Sequence, residues 1–383
     1  MTTSQQLAGY CRSQEDWLIG TIEALVTLES PTDVKDAVDT CGAELARRLA
    51  EIGGKVTTVT TSSAGNHLRA EFGSGSRQIL LLGHFDTVWP VGQLQHMPLQ
   101  RDGDKLMGPG VLDMKAGIGL AMLATRALFQ LAEGAQARIV MLWTTDEETG
   151  SHTSRALLET EARQSAAVLV LEPALPGGVL KTSRKGCGEY EVVVRGEAAH
   201  AGVDPGKGVS AIRELARQIL ALETLHDLSR GVSVNVGIIS GGSRPNVVAA
   251  EARARVDVRA PTMAEADRVD TAIRGLTPHL SGAQVDVSGG FDRPPMERTA
   301  GVARLFEMAQ QVGSELGQTI GEGSTGGGSD GNFCAALGVP TLDGLGALGD
   351  GAHAVHEHVL VSGLVHRATL LSALLTRLAA SSD

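Results

Sequence analysis

The amino-acid sequence predicts an α/β protein, with a mostly parallel sheet flanked by helices, that is interrupted by a smaller α+β domain. Three observations predict this fold class. Strand and helix patterns alternate over the first part of the chain, a β-α-β-β-α-β order occupies the middle, and the alternating pattern returns towards the C-terminus. A chain of 383 residues is long enough for two or three domains. We therefore expect one α/β domain that is formed by two separate stretches of the chain.

The first stretch, residues 1–181, alternates between helical and extended patterns. Amphipathic helices are predicted at 15–29 and 36–52, followed by strands near 55–61 and 67–72. The continuous apolar run in "RQILLLGHFD" is typical of a central strand that is buried on both faces. The elements predicted after it are a helix at about 115–132, a strand at 138–144, a helix at about 151–161 and the strand "AAVLVLEP" at 166–173.

The middle stretch, residues 182–291, has the element order of a ferredoxin-like domain. Strands in "GEYEVVVRG", "GVSVNVGIISGG", "AEARARVDVRA" and "AQVDVSG" are combined with helices at 208–223 and 262–276. In the third of these strands apolar and charged residues alternate, as they do in a strand with one buried face. From the linker "FDRPP" onward, residues 292–383 return to the α/β pattern, with helices at about 300–316 and 329–337 and a closing strand.

Composition and charge exclude several classes of protein. Hydrophobic residues make up 42% and charged residues 20% of the chain, which is typical of a globular protein. The net charge of −11 argues against nucleic acid as a partner, because a polyanion requires a basic surface. No apolar run approaches the roughly 18 residues of a membrane span, and we expect no secretory signal. The four cysteines are scattered, which favours reduced thiols in the cytoplasm over disulfides or a cysteine metal site.

Two motifs in the α/β part place metal-type ligands at or just beyond a strand end. In "GHFDTV", His84 and Asp86 are two residues apart, so both side chains point to the same side of an extended chain. A carboxylate there can hold the second ring nitrogen of a metal-bound imidazole. In "GPGVLDMKAG", Asp113 lies among glycines before a helix. Taken alone, the first motif can equally be a polar strand end and the second a capped helix start.

Two further motifs place carboxylates after apolar strands. "TTDEETG" has Asp146, Glu147 and Glu148 in a row, and Glu172 ends the strand in "LVLEP". A solvated acidic turn is one explanation, but carboxylates after a buried strand repel each other unless positive charge faces them. Histidine and carboxylates together suit zinc, with cobalt or manganese as substitutes, and two divalent cations about 3.5–4 Å apart would relieve the repulsion. Glu148 would then bind a cation, and Glu147 would face a water molecule whose proton it can take.

Seven motifs together resemble a known family. They are "GHFDTV", "GPGVLDMKAG", "TTDEETGS", "LEP", "AAHAG", "STGGGSDG" and "GGSRPNVV" with "RVDVR". Their order and spacing are similar to those of the dizinc carboxypeptidases related to glutamate carboxypeptidase (the carboxypeptidase G type), in the superfamily of aminoacylases, acetylornithine deacetylase and succinyl-diaminopimelate desuccinylase. The resemblance covers nearly the whole chain. It implies a zinc-exopeptidase-like fold, with the inserted domain serving as a lid and a dimerisation domain.

The resemblance implies the ligands of a two-zinc centre. Asp113 would bridge the two ions. His84 and Glu172 would complete one site, and Glu148 with a late histidine would complete the other. Asp86 would orient the imidazole of His84.

The late histidine lies in "GDGAHAVHEHV". The family often has His followed four residues later by Glu, which implies His353 with Glu357. His356 is the alternative ligand, since it occupies the position where the family usually has an acidic residue. His358 is expected to be exposed.

The resemblance also implies catalytic and substrate-binding residues. Glu147 would be the general base, acting on a bridging metal-bound water. His200 would reach from the partner subunit to the scissile carbonyl oxygen, which makes a homodimer the expected assembly. Arg259 and Asn246 would bind the free carboxylate and the backbone of the substrate. Without the resemblance, His200 would be interpreted as a loop histidine and Arg259 as an exposed arginine.

We therefore expect a metal-dependent hydrolase of small peptides or N-acyl amino acids, with glutamate as the C-terminal residue that the resemblance implies. An aminoacylase or deacetylase for another amino acid is the near alternative. Two alternatives from other classes are a non-catalytic member that binds metal without turnover and a nucleotide-binding protein that uses "STGGGSDG". The last is disfavoured, because this stretch lacks the Lys-Ser/Thr ending of a P-loop.

Overall fold

The computed structural model of the protein describes residues 3–131 and 137–380. The chain divides into two compact units. Unit 1 comprises Met1–Thr182, Arg298–Ser324 and Ser329–Asp383, and unit 2 comprises Ser183–Glu297 and Thr325–Gly328. An α/β part interrupted by a smaller insertion is present, as the sequence predicts. The bounds 182–291, and the lid and dimerisation roles given to the insertion, stay predictions.

Helices and strands alternate in unit 1 and follow a separate order in unit 2. Among the described residues, the α-helices are α1 (Ser4–Ser13), α2 (Glu15–Val26), α3 (Lys35–Glu51), α4 (Ala116–Leu131), α5 (Arg155–Arg163), α6 (Ala211–Glu223), α7 (Met263–Arg274), α8 (Ala300–Glu315), α9 (Gly331–Ala336) and α10 (Val361–Ala380). The strands are β1 (Lys55–Val59), β2 (His67–Phe72), β3 (Arg77–His84), β4 (Gln100–Asp102), β5 (Lys105–Met107), β6 (Ala137–Thr144), β7 (Ser165–Val170), β8 (Leu180–Arg184), β9 (Gly186–Arg195), β10 (Ser233–Gly241), β11 (Glu251–Ala260), β12 (Gln284–Arg293), β13 (Glu322–Thr325), β14 (Thr341–Leu342), β15 (Gly349–Asp350) and β16 (His358–Leu360). The predicted end of α4 at residue 132 lies outside the described residues. Within those two described ranges, none of the helices combines the length and the apolar character that a membrane span requires.

A six-stranded sheet in the order β1-β2-β6-β3-β7-β14 forms the centre of unit 1. Strands β6, β3, β7 and β14 are parallel, whereas β1 and β2 are antiparallel to their neighbours. Along β3, Ile79 and Leu81 belong to the buried cluster that contains α1, α2, α4 and α10. Leu80 and Leu82 belong to the cluster that contains α5 and α9. Because successive side chains of a strand point to opposite faces, the apolar run of β3 is buried on both sides, as predicted.

Unit 1 contains elements that the sequence does not predict: α1, α10 and a small sheet in the order β15-β16-β5-β4. Helix α10 contains a buried arginine, Arg367, which donates hydrogen bonds to the carbonyl oxygens of Gly346 at 2.9 Å and Gly178 at 3.2 Å. A buried charge interrupts the apolar stripe by which a helix is recognised. Helix α1 is mostly polar and buries only Leu7 and Cys11. The strands of the small sheet have two or three residues, too few to show an alternating pattern.

Unit 2 is a four-stranded antiparallel sheet with two helices, in the predicted β-α-β-β-α-β order. Its strand order is β10-β11-β9-β12, so β10 and β12 are the edges. Leu215 of α6 and Val269 of α7 share one buried cluster with Val192 and Val256 of the two central strands. Buried and more exposed residues alternate along β11, as its sequence predicts.

The chain enters and leaves unit 2 at adjacent points. Arg184 and Met296 exchange two backbone hydrogen bonds, each of 3.0 Å between nitrogen and oxygen. The guanidinium of Arg184 also donates to the carbonyl oxygens of Gly327 at 3.1 Å and Gly328 at 3.0 Å. The short segment that returns to unit 2 late in the sequence is therefore attached at the same place.

Candidate metal centre

The predicted metal ligands come from the ends of three neighbouring strands and from two turns. His84 ends β3, Glu148 follows β6 and Glu172 follows β7. These strands are parallel neighbours, so their carboxyl ends meet at one edge of the sheet, where α/β proteins bind ligands. Asp113 lies in a kinked turn before α4, and His353 lies in the turn between β15 and β16.

The five side chains form two groups of three that share Asp113. His84, Asp113 and Glu172 offer one group of ligand atoms, and Asp113, Glu148 and His353 offer the other, with the atoms of each group within 4.8 Å of one another. His84 Nε2 lies 3.2 Å from Asp113 Oδ1 and 3.4 Å from Glu172 Oε1. His353 Nε2 lies 3.3 Å from both Asp113 Oδ2 and Glu148 Oε2. Asp113 thus directs one oxygen at each histidine.

Asp86 lies on the other side of the His84 ring. His84 Nδ1 lies 3.0 Å from the backbone carbonyl oxygen of Asp86 and 3.4 Å from its carboxylate Oδ1. The second carboxylate oxygen, Oδ2, accepts hydrogen bonds from the Thr32 hydroxyl at 2.7 Å and the backbone of Glu148 at 3.3 Å. With Nδ1 held by the backbone carbonyl oxygen of Asp86, Nε2 is left facing Asp113 and Glu172, which is the orientation that a metal-bound histidine needs.

The carboxylates change the pKa of both histidines. Burial lowers the pKa of His84, but the surrounding carboxylates, above all Asp113, outweigh burial and raise this pKa well above its usual value. Contacts with Asp113 and Glu148 raise the pKa of His353 to about 10. Burial also raises the pKa of Glu148. The site therefore has an excess of negative charge that favours bound cations.

The donor set fits a pair of divalent cations. Two imidazoles and three carboxylates supply nitrogen and oxygen ligands in two groups with one shared carboxylate. Glu148 Oε1 is buried and has no hydrogen-bond partner among residues 3–131 and 137–380. A buried carboxylate oxygen without a donor is costly unless a cation faces it.

The three acidic residues of "TTDEETG" have different surroundings. Asp146 is buried, and its Oδ2 accepts from the backbone nitrogen of Thr153 at 2.6 Å and from the Thr153 hydroxyl at 2.7 Å, so it holds the loop. Glu148 belongs to one of the two ligand groups. Glu147 starts a short 3₁₀ turn, is half-buried and belongs to neither group.

Of the three late histidines, the structure brings only His353 into a ligand group of the described residues. His356 is exposed in the same turn. The expectation that His358 is exposed is wrong: its exposed fraction is 7%. His358 begins β16, where it pairs with Met107 of the small sheet, and strands this short are not visible in the sequence.

The predicted substrate-binding residues lie in unit 2. The backbone nitrogen of Ala201 donates to the carbonyl oxygen of Asn246 at 3.0 Å, which keeps His200 next to Asn246. His200 Nδ1 accepts from the backbone nitrogens of Gly202 and Val203, both at 3.1 Å. Because Nδ1 is an acceptor, the proton of a neutral imidazole resides on Nε2, which is then free to donate.

Arg259 is half-buried at the end of β11. Its Nε and Nη2 donate to the two carboxylate oxygens of Asp257 at 3.0 and 2.7 Å, and its Nη1 contacts the sulfur of Cys187. Asp257 and Cys187 thus hold the guanidinium in one orientation, and its role in substrate binding stays a prediction.

Comparison with known proteins agrees with this geometry. The sequence profile of Peptidase family M20/M25/M40 matches residues 80–377. Carboxypeptidase G2 of Pseudomonas sp. (strain RS-16) is 31% identical over 374 residues, which cover 95% of this chain and 89% of the relative.

Two solved structures have the same fold. The aminopeptidase PepT of Bacillus cereus has a TM-score of 0.78 at 22% identity, with 95% of this chain and 99% of that chain covered. The YXEP protein of Bacillus subtilis, a dinuclear metal-binding peptidase, has a TM-score of 0.72 at 14% identity, with 96% and 98% covered. As the motifs predict, the chain belongs to Peptidase family M20/M25/M40 and is an enzyme of the metallopeptidase and amidohydrolase class.

Proposed function

We propose that the protein hydrolyses the amide bond between an acyl or peptidyl group and a C-terminal amino acid with a free carboxylate, with glutamate as the preferred residue. The observation that carries this proposal is the pair of ligand groups that share Asp113. The likeness to carboxypeptidase G2 supports the carboxypeptidase type of reaction. The preference for glutamate is what the resemblance of the motifs implies. The four cysteines are free thiols, which supports a reducing compartment such as the cytoplasm.

Zinc is the metal that we propose, with cobalt or manganese as substitutes, and His84, Asp113, Glu148, Glu172 and His353 as its ligands. Imidazole and carboxylate together are the common ligands of catalytic zinc. When bound, such a pair lowers the pKa of water and polarises the carbonyl group of the substrate.

The remaining steps are assigned to side chains of this chain. Glu147 takes a proton from the attacking water on its carboxylate and returns it to the leaving nitrogen. His200 donates its Nε2 proton in a hydrogen bond to the carbonyl oxygen, which gains negative charge as the water adds. Arg259 forms a bidentate pair with the free carboxylate, and Asn246 binds the substrate backbone.

A screen of N-acyl amino acids and dipeptides that differ only in the C-terminal residue tests the proposal. With zinc present, substrates that end in glutamate are expected to be cleaved with the highest kcat/KM. A chelator should abolish the activity, and zinc should restore it. The matched control is each substrate as its C-terminal amide, which lacks the carboxylate for Arg259 and should be cleaved at least about 10²-fold more slowly.

Each other outcome of the screen has a definite meaning. A preference for another amino acid would favour the aminoacylase or deacetylase alternative. Two bound metal ions per chain without any hydrolysis would favour a non-catalytic member of the family. In a separate binding assay, ATP or GTP binding without bound metal would contradict both the hydrolase and the non-catalytic metal-binding alternative.

We also propose that two copies associate through unit 2. The edge strand β10 exposes Ile238 and Ile239 at 57% and 64%, and α6 beside it exposes Leu220 at 64%. A groove of about 300 Å³ between α6 and β10 includes Ile219 and Val236 in its lining. An edge strand with apolar residues is a surface that a second copy can extend and cover. A second copy is also required if His200 is to reach the scissile carbonyl oxygen from the partner subunit.

Replacing Leu220 with glutamate is expected to convert a wild-type dimer into a monomer. Burying an unpaired carboxylate in the interface costs about 3 kcal/mol, which weakens association roughly 100-fold. Sedimentation velocity gives the mass, and kcat should fall with the loss of the partner's imidazole. Met263→Glu is the control, because Met263 is also an exposed apolar residue of unit 2 but lies on α7. A wild-type protein that sediments as a fully active monomer would contradict this assembly.

A further inference from the structure

Glu357 is completely buried and accepts hydrogen bonds from four N–H groups. Its Oε2 accepts from the Trp89 indole at 2.8 Å and from the backbone of Gly110 at 2.9 Å. Its Oε1 accepts from the backbones of Leu112 at 2.8 Å and Asp113 at 3.0 Å. Three of the four donors belong to the turn that carries Asp113.

This turn satisfies only some of its own backbone groups: the nitrogens of Val111 and Lys115 donate within it, whereas those of Leu112 and Asp113 donate to Glu357. Gly110 has a positive φ of 71°, and Asp113, with φ −114° and ψ 90°, lies outside the helical region. The remaining N–H groups of such a turn lack partners in the regular hydrogen-bond pattern of α4 and require other acceptors. The Glu357 carboxylate supplies those acceptors from a part of the chain that is distant in sequence.

Glu357 also belongs to the segment that carries His353. The backbone nitrogen of Glu357 donates to the carbonyl oxygen of Ala354 at 2.9 Å, and that of Ala354 donates to Gly351 at 2.8 Å. One compact turn therefore provides a ligand to the metal centre and also the carboxylate that holds the shared ligand.

We propose that Glu357 is a positioning residue that fixes the backbone of Asp113, so that the two oxygens of Asp113 face both ligand groups at once. This inference rests on the proposed metal centre. It predicts that loss of Glu357 weakens the binding of both metal ions together, since both depend on Asp113. Loss of His353, which belongs to one group, should weaken the binding of one ion.

Titration of the metal-free protein with cobalt(II) tests this difference. Wild type, Glu357→Gln and His353→Ala are stripped with a chelator and titrated, with calorimetry for affinity and visible absorption for ligand geometry. The amide of glutamine keeps one acceptor oxygen but turns an NH₂ group towards N–H donors, so it can hold only half of the turn. Glu357→Asp, which keeps the charge on a shorter side chain, is titrated alongside as a second variant.

Wild type is expected to bind two equivalents of cobalt. Glu357→Gln should bind both at least about tenfold more weakly, with an altered absorption spectrum, as is typical when a group that orients a ligand is removed. His353→Ala should keep one equivalent at wild-type affinity. If Glu357→Gln does not fold, Glu357→Asp should show the same joint weakening.

The outcomes separate the inference from the proposed function. Wild-type cobalt affinity and spectrum in Glu357→Gln would overturn the positioning role, even if the melting temperature of the metal-free variant falls. If Glu357→Gln bound only one of the two cobalt ions more weakly, the inference that Glu357 acts on both ion sites through Asp113 would be contradicted. No cobalt binding by wild type would refute the proposed metal centre itself.

Discussion

Replacing Glu147 with glutamine is expected to leave two metal ions bound and to lower kcat by about 10²–10⁴-fold. The amide has nearly the shape of the carboxylate but does not take up a proton from water. Because Glu147 belongs to neither ligand group, its replacement should not change the metal content. The measurements are kcat on the best substrate of the screen and elemental analysis of the purified variant.

Asp146→Asn is the matched control for this variant. Asp146 is adjacent in sequence, but its carboxylate is engaged with the backbone and hydroxyl of Thr153. Its replacement should lower the melting temperature, since a buried charge-assisted contact is lost. The kcat per folded molecule should fall far less than it does in Glu147→Gln. A wild-type kcat in Glu147→Gln would mean that another group accepts the proton.

Replacing Asp113 with alanine is expected to remove both metal ions and to reduce hydrolysis to the background rate. Its two carboxylate oxygens face His84 and His353 separately, so one substitution takes a ligand from each group. Equilibrium dialysis against zinc followed by elemental analysis measures the loss. Added zinc should not restore activity at concentrations that saturate the wild-type protein.

His353→Ala provides the comparison for Asp113→Ala. His353 belongs to one ligand group, so this variant should retain one ion per chain. Two ions retained by Asp113→Ala would show that the two groups bind metal independently of each other. In that case neither ligand group would require the carboxylate of Asp113 to bind its metal ion.

Among the predicted metal ligands, those that directly follow a buried strand are easier to identify from the sequence than those that lie in turns. His84, Glu148 and Glu172 come directly after apolar runs, and parallel strands bring such positions to one edge of a sheet. His353 lies in a turn, at a positive φ of 61°, where no periodic pattern marks it. Only the family resemblance and the spacing to Glu357 point to this histidine.

Contacts between distant parts of the chain are what the sequence does not predict. Thr32 donates to Asp86 across 54 residues, and nothing around Thr32 distinguishes it from other surface threonines. The burial of His358 and Arg367 depends on partners that are unknown until the chain is folded. Local patterns record which face of a strand or helix is buried, but they carry no information on which distant group will satisfy a polar atom.

The paired backbones of Arg184 and Met296 make the main segment of unit 2, Ser183–Glu297, a cassette whose two ends are adjacent. A cassette of this kind can be exchanged for another with the same end spacing without stretching the polypeptide that receives it. All five residues of the two ligand groups lie outside it. Evolution, or the making of chimaeras, can therefore change whatever the cassette recognises while the five residues of the two ligand groups remain untouched.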